Sequence, residues 1–271
     1  KKDMGGAAHA IALAELIMTR KLPVRITLLV PAVENAIGPN AYRPGEVVAT
    51  RKGISVEIDN TDAEGLVILC DALTYAAEQS PQLILDFATL TGAARIALGP
   101  DLPALFSNDD TLANDWLAAG TRTYDPLWRM PLHRPYLRYL SSGIADLANA
   151  SASTMAGCIT AALYLERFVP AEQPWAHLDV YSWNDNDRPG RPAGGDHGRT
   201  LPFSGPRRSA GPAQLLRDAE GALWLIVWRI VSGRAYCSRC YASALHRMRS
   251  RSPYAHPRPH PRPRRHNARC W

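Results

Sequence analysis

Asn60-Thr61-Asp62-Ala63-Glu64-Gly65 separates an alternating run, Ile54-Ser55-Val56-Glu57-Ile58, from an apolar helical run over 67–77. Period-two alternation predicts a half-buried strand and the apolar run predicts a buried helix, so the hexapeptide is a strand-to-helix junction. Two acids placed two residues apart at such a junction have two readings. In an extended backbone, residues i and i+2 project to the same side, and Asp62 and Glu64 would aim both carboxylates at one point, which is half of a cation site. Alternatively, Thr61 with Glu64 three residues on is a capping box, Asp62 suits the helix dipole, and the stretch only starts a helix. The local pattern alone favours the cap.

Working outward, Gly5-Gly6 precedes a run of strong helix formers over 7–17, ended by Leu22-Pro23. Asp3 sits just ahead of that helix, where position by itself suggests a cap. His9 lies on the helix with no partner at ligand spacing and reads as structural. A β-branched strand over 24–30 ends at Pro31, and the loop over 34–45 is dense in Asn, Gly and Pro. A further strand, Leu83-Ile84-Leu85-Asp86-Phe87, runs straight into the turn Ala88-Thr89-Leu90-Thr91-Gly92, whose backbone groups are placed to face whatever Asp62 and Glu64 hold. A short helix over 113–119, an irregular stretch over 126–135, an apolar helix over 154–165 and a strand over 175–180 follow. His177, inside that strand, reads as a satisfied structural histidine. Strands alternating with helices predict an α/β fold, a mixed sheet covered by helices, with the motifs at strand ends where open sheets place their sites.

The chain has 271 residues, 46% of them hydrophobic, enough for a sizeable core. Its net charge of +6 hides two opposite halves. Residues 1–196 hold 16 Lys+Arg against 23 Asp+Glu, a balance of −7, whereas residues 197–271 hold 15 Arg, no Lys and 2 acids, a balance of +13. Cys70 and Cys158 lie on apolar helical runs and read as small buried hydrophobes of a reduced, cytosolic protein. No signal peptide or membrane span is visible, since the longest apolar run, 222–231, is short and broken by Arg229.

Four segments change the weight of the acidic pair: Asp3-Met4-Gly5-Gly6-Ala7-Ala8, Asn40-Ala41-Tyr42-Arg43-Pro44-Gly45, the hexapeptide from Asn60 to Gly65, and Ala88-Thr89-Leu90-Thr91-Gly92-Ala93. In this order and spacing they resemble the catalytic domain of the leucine aminopeptidase (cytosol aminopeptidase) family, and the likeness spans residues 1–196. The resemblance implies a metalloexopeptidase that removes N-terminal residues, leucine-type, from peptides with two divalent metal ions, manganese or zinc. It makes Asp3, Asp62 and Glu64 metal ligands and places Asn60, Thr89, Leu90 and Gly92 in the substrate pocket. It also implies a cytoplasmic homo-oligomer, hexameric in relatives, with a peptide substrate, no membrane and no call for nucleic acid. Clustered acids make sense with cations between them, because unpaired like charges this close push one another's pKa upward.

Two departures bear on activity. The family's arginine after the glycine of Asp-Ala-Glu-Gly, which acts through a bound bicarbonate, is replaced by Leu66. A metal-binding lysine, a metal-bridging aspartate and a second, catalytic lysine are expected ahead of Lys1, so the chain starts late within the domain and its site is expected to be incomplete. No catalytic residue proper is assigned, and the expectation is an impaired aminopeptidase or a non-catalytic remnant.

The likeness stops after Gly194-Gly195. From His197 onward the chain turns to Arg, Pro and Ser, an abrupt change that reads as a disordered tail or as translation in a shifted frame. The alternative is a basic arm that neutralises phosphates in extended form. Cys237-Ser238-Arg239-Cys240 with His246 resembles half a zinc knuckle without standard spacing for the second ligand pair. The run over 223–231 reads as a short helix or strand.

Overall fold

Residues 83–88 carry only one polar side chain, and a strand with no polar face has to be covered on both sides. A computed structural model of the chain describes residues 2–33, 35, 37–187, 193–195, 222–227 and 229–230. The helices are α1 (Gly5–Thr19), α2 (Glu64–Ala77), α3 (Gly92–Leu98), α4 (Asp110–Thr123) and α5 (Gly157–Glu166). The strands are β1 (Arg25–Leu29), β2 (Ala32–Val33), β3 (Val47–Ala49), β4 (Ser55–Glu57), β5 (Leu83–Ala88), β6 (Ala104–Ser107), β7 (Trp128–Arg129), β8 (Leu147–Ala148), β9 (Trp175–Asp179), β10 (Trp183–Asn184), β11 (Gly194–Gly195), β12 (Ala222–Val227) and β13 (Arg229–Ile230). Short 3-10 turns cover Lys2–Met4, Thr61–Ala63 and Arg134–Leu140.

Six strands form the main sheet in the order β1-β12-β5-β9-β6-β7, parallel except where β6 runs against β9. This is the mixed sheet flanked by helices that the alternation predicts. Neighbouring side chains along each strand part to opposite faces. Leu85 and Phe87 of β5, Leu105 of β6, and Ala176 and Leu178 of β9 meet α1 and α4 in one core that includes Leu13, Ile17 and Trp116. On the other face Ala104 and Phe106 of β6 pack with Ala94 of α3 and with Cys158 and Ala162 of α5. Each large apolar side chain so buried contributes about 1.5–3 kcal/mol relative to exposure. A smaller sheet, β3-β4-β8, is antiparallel then parallel and carries the chain to the acidic junction.

The boundaries shift in places for local reasons. Helix α2 opens at Glu64 rather than 67. Helix α5 opens only at Gly157, because Ala156 adopts a left-handed conformation with φ 56° that breaks the helical course expected from 154. Both histidines read as structural are so placed. His9 Nδ1 is 2.7 Å from the Gly5 carbonyl and its ring stacks on Phe87. His177 is buried with Nδ1 paired to the Asp86 carboxylate, although its Nε2 has no partner among the described residues.

The apolar run of the basic tail is strand rather than helix: β12 joins the main sheet and β13 pairs with β2. The reading of 197–271 as a disordered or frame-shifted tail does not hold for β12 and β13, which pair with other strands; the rest of that tail, with the half knuckle at Cys237, Cys240 and His246, and the stretch 188–192 lie outside the described residues. Among the described residues no helix is long and apolar enough to cross a membrane.

Close approach at the start of α1 sets the position of everything near it. A Cβ on Gly6 would stand 2.4 Å from the Phe87 carbonyl oxygen and 2.8 Å from Ala88 Cα, and one on Gly5 would stand 2.2 Å from Ser182 Oγ. The obstacle at Gly6 is backbone, which has nowhere to go. Gly6→Ala is therefore expected to lower stability by about 3 kcal/mol. Gly143→Ala, where a Cβ meets nothing within 4 Å, should stay within about 0.5 kcal/mol of the parent. Urea unfolding of the two variants beside the parent chain checks both.

Candidate active site

The parallel strands end where the sequence motifs begin. β5 runs out at Ala88, the Val180 amide donates to the Ala88 carbonyl, and α1 starts against the same point. Asp3 lies in the 3-10 turn just ahead of α1, and Thr89 Oγ1 donates to the Asp3 carbonyl at 3.1 Å. Met4, not Asp3, occupies the cap position of α1 and makes no side-chain cap bond.

Neither geometric reading of the acidic junction holds as stated. The backbone is not extended through it: Asn60 is extended, but Thr61–Ala63 close a 3-10 turn and Glu64 opens α2. The capping box does not form either, since α2 follows Ala63 with no side-chain cap. The Asn60 side chain takes over instead, accepting from the Asp62 amide at 2.9 Å, as a short amide side chain does when it imitates a backbone turn. Asp62 is left exposed and Glu64 is 97% buried, with 3% of its surface accessible.

Asp62 acts on Glu64 through its charge. Burial, and then the nearby Asp62 and Asp3 charges, push the Glu64 pKa from 4.5 up to about 7. Asn35 Nδ2 donates to Glu64 Oε2 and to the Thr61 carbonyl, tying the loop over 34–45 to the junction. The other oxygen, Oε1, is buried with no hydrogen-bond partner among the described residues. A buried carboxylate oxygen without a donor, beside two further acids, is satisfied by a proton or by a cation. Oxygen-only donors suit manganese or magnesium, and zinc accepts carboxylates as well. The fit is partial: among the described residues no three His, Cys, Asp or Glu side chains close into a ligand set.

Three residues that the sequence reading left without a role hold this edge in shape. Asn149, buried in the loop after β8, accepts from the Asp59 and Asn60 amides and donates to the Asn60 carbonyl at 2.7 Å. Asp179, at the end of β9, accepts from the amides of Leu90 and Thr91, both at 3.1 Å, and from Thr91 Oγ1 at 2.6 Å. Those two amides therefore face Asp179 and not the acidic cluster, which corrects the expected orientation of the turn. Burial raises the Asp179 pKa, against His177 and these three donors. Asn35 is the third. Nothing in the local text marks any of them, because each partner is distant in sequence.

Of the pocket residues, Thr89 is joined to the turn carrying Asp3, and Asn60 shapes the acidic junction through its side chain. Gly92 opens α3 with Thr91 as its cap and has room for a Cβ, so packing is not what requires a glycine there. Leu66 is packed in the first turn of α2, 8% exposed. A leucine there stabilises the core contact and offers no charge to the carboxylate edge.

Comparison with known proteins gives the family. Residues 1–202 match the cytosol aminopeptidase family, catalytic domain. A probable cytosol aminopeptidase of Chlorobium limicola is 47% identical over 181 residues, 66% of this chain and 36% of the relative, and one of Chlamydia caviae is 50% identical over 183 residues with the same coverage. The crystal structure of a cytosol aminopeptidase from Coxiella burnetii aligns with a TM-score of 0.72 at 60% identity, over 74% of this chain and 44% of that one. The bottromycin maturation enzyme BotP, in complex with Mn, aligns with a TM-score of 0.70 at 37% identity, over 80% of this chain and 47% of that one. The chain thus spans little more than a third of the length of the curated relatives it matches. Matching the family model over residues 1–202, this chain belongs to the cytosol aminopeptidase family.

Proposed function

We propose that the carboxylate edge is the metal-binding part of an aminopeptidase site, acting on the N-terminal residue of peptides, and that this chain by itself turns over slowly. The observation that carries the reading is Glu64: a buried carboxylate with one oxygen unpartnered among the described residues, under the charges of Asp62 and Asp3. Asp3, Asp62 and Glu64 would hold divalent metal, manganese or zinc, and the Mn complex of BotP supports manganese as the first ion to try. When bound there, a divalent cation polarises a carbonyl and lowers the pKa of water.

The chain's own residues do the rest. Asn35 holds one Glu64 oxygen, and the other, with no protein partner among the described residues, would be the one to bind a cation. Asn60, Thr89, Leu90 and Gly92 line the approach for a peptide, with Asn149 and Asp179 fixing the loops they sit on. The start of α1 lies beside Asp3, and the amide groups of a helix N-terminus favour the ionised carboxylates. Beside these carboxylates Leu66 supplies no electrostatic stabiliser. Loss of one such group costs on the order of 10²- to 10³-fold in rate. Cytoplasmic location and homo-oligomeric assembly go with this reading, supported by the naming of the relatives and by the exposed Ile96, Ile144 and Met155. The non-catalytic reading draws on the unclosed ligand set.

Calorimetric titration of the full chain with manganese separates the two. Binding is expected in the parent, loss of detectable binding in Asp62→Ala and Glu64→Ala, and binding weakened by about 10- to 100-fold in Asn35→Ala, which removes only the support of a ligand. Leucyl-amide hydrolysis in the same samples should be slow and should vanish with Asp62→Ala. An absence of binding in the parent would make the chain a fold without the chemistry.

Glu64 also predicts a pH dependence in the metal-free chain. Its folded pKa of about 7 stands above the unfolded 4.5, so the folded state holds a proton that the unfolded state gives up across that window. Stability is full below 4.5 and is lost as pH rises through 7. Glu64→Gln should flatten that slope, seen as urea midpoints of parent and variant that differ more at pH 8 than at pH 5.

A further inference from the structure

The middle of the main sheet is filled from outside the part of the chain that matches the family. β1 and β5 both lie within residues 1–202 but do not pair with each other. β12 runs between them, parallel to both, in register from Arg25↔Ala222 to Leu29↔Ile226 on one side and from Leu223↔Leu83 to Val227↔Phe87 on the other. Helices α1 and α2 both lie against it. The backbone groups on the facing edges of β1 and β5 need partners, and the gap takes one extended segment.

Such a gap recognises its occupant through the main chain. It asks for a short extended segment, apolar enough for a position covered by helices and free of proline. Ala222-Leu223-Trp224-Leu225-Ile226-Val227 meets these conditions within a tail otherwise rich in Arg and Pro. The direction of β12 matters too. Being parallel to β5, it leaves the sheet at the end where β5 leads into Thr89. The next strand, β13, pairs with β2 and lies against the 3-10 turn that carries Asp3.

We propose that the gap between β1 and β5 is a strand-acceptor site for an apolar, parallel, extended segment, and that Ala222–Val227 of this same chain occupies it as an exchangeable insert. Because the pairing is made by the backbone, occupancy is open to competition from a second segment with the same properties. The occupant also decides which residues follow onto the carboxylate edge, here Arg229 and Ile230. The site is distinct from the acidic cluster, so its test needs no catalysis.

Hydrogen exchange read by mass spectrometry on the full chain tests it. Amides of 222–227 are expected to exchange at least about 100-fold slower than in an unstructured peptide, together with those of 25–29 and 83–87. An excess of a peptide carrying Ala222–Val227 between charged flanks should release the chain's own 222–227 to fast exchange, leave 25–29 and 83–87 protected, and gain protection itself. The same peptide with Leu225→Pro should do none of this. In the full chain, Leu225→Pro should lose protection at 222–227 and 25–29 while Leu225→Ala keeps it. Should the proline variant not fold, the peptide competition on the parent chain decides. Fast exchange of 222–227 in the parent, no displacement by the peptide, or protection seen only in a dimer would each overturn the proposal.

Discussion

The contact between the start of α1 and the end of β5 constrains both the fold and the site. Backbone meets backbone there: Gly6 faces the Phe87 carbonyl and Ala88 Cα at distances that no side chain tolerates. The helix is thereby held against the strand from its first turn, and its apolar face with Leu13 and Ile17 reaches the core that β5, β6 and β9 share with α4. The same contact leaves Asp3 at the strand end, with Thr89 Oγ1 on its carbonyl. Glycine here is less a matter of flexibility than of room. The residue that would relieve the cost of two glycines at a helix start is the one that would push Asp3 away from Glu64.

Three buried acids show how one chemistry takes different roles. Asp86 lies at the sheet centre with one oxygen on Trp175 Nε1 and the other on His177 Nδ1. Burial works against a charged imidazole, yet Asp86 holds the His177 pKa above its ordinary value, and the pair is held by its own partners. Asp179 accepts two amides and a hydroxyl from the turn after β5. Both acids are answered by protein donors and serve to fix strands and turn. Glu64 has Asn35 on one oxygen and no partner among the described residues on the other, with two like charges beside it. Its environment is the unfinished one, which is why chemistry is assigned there and structure to the other two.

The strands, the helices and their alternation were legible from period and length, because burial of an apolar face leaves a local trace. The acidic pair was legible as a pair, but its geometry was not. Asn60 bends the chain into a 3-10 turn, a choice made by one side chain and by Asn149 holding the same residue from 89 positions away. Asp179 and Leu90 are likewise 89 residues apart, and no local pattern marks such a bond. Leu66 could be read as an exchange of charge for apolar contact, whereas its packing in α2 had to be seen. The tail run was read as a short helix or strand within a tail expected to be disordered, and its packing, through pairing with two strands, had no local trace.

That pairing also orders the assembly in time. Contacts between α1 and β1, or within β3 and β4, close short loops, whereas β12 meets β1 only when the far end of the chain returns to its beginning. Loop closure of this kind is entropically the most expensive in the sheet and comes late. Without β12, the facing edges of β1 and β5 would lack their ladder partners. The carboxylate edge therefore depends on a strand that contributes none of its three acids. Continuity of the backbone ladder, more than proximity in sequence, ties the tail to the site.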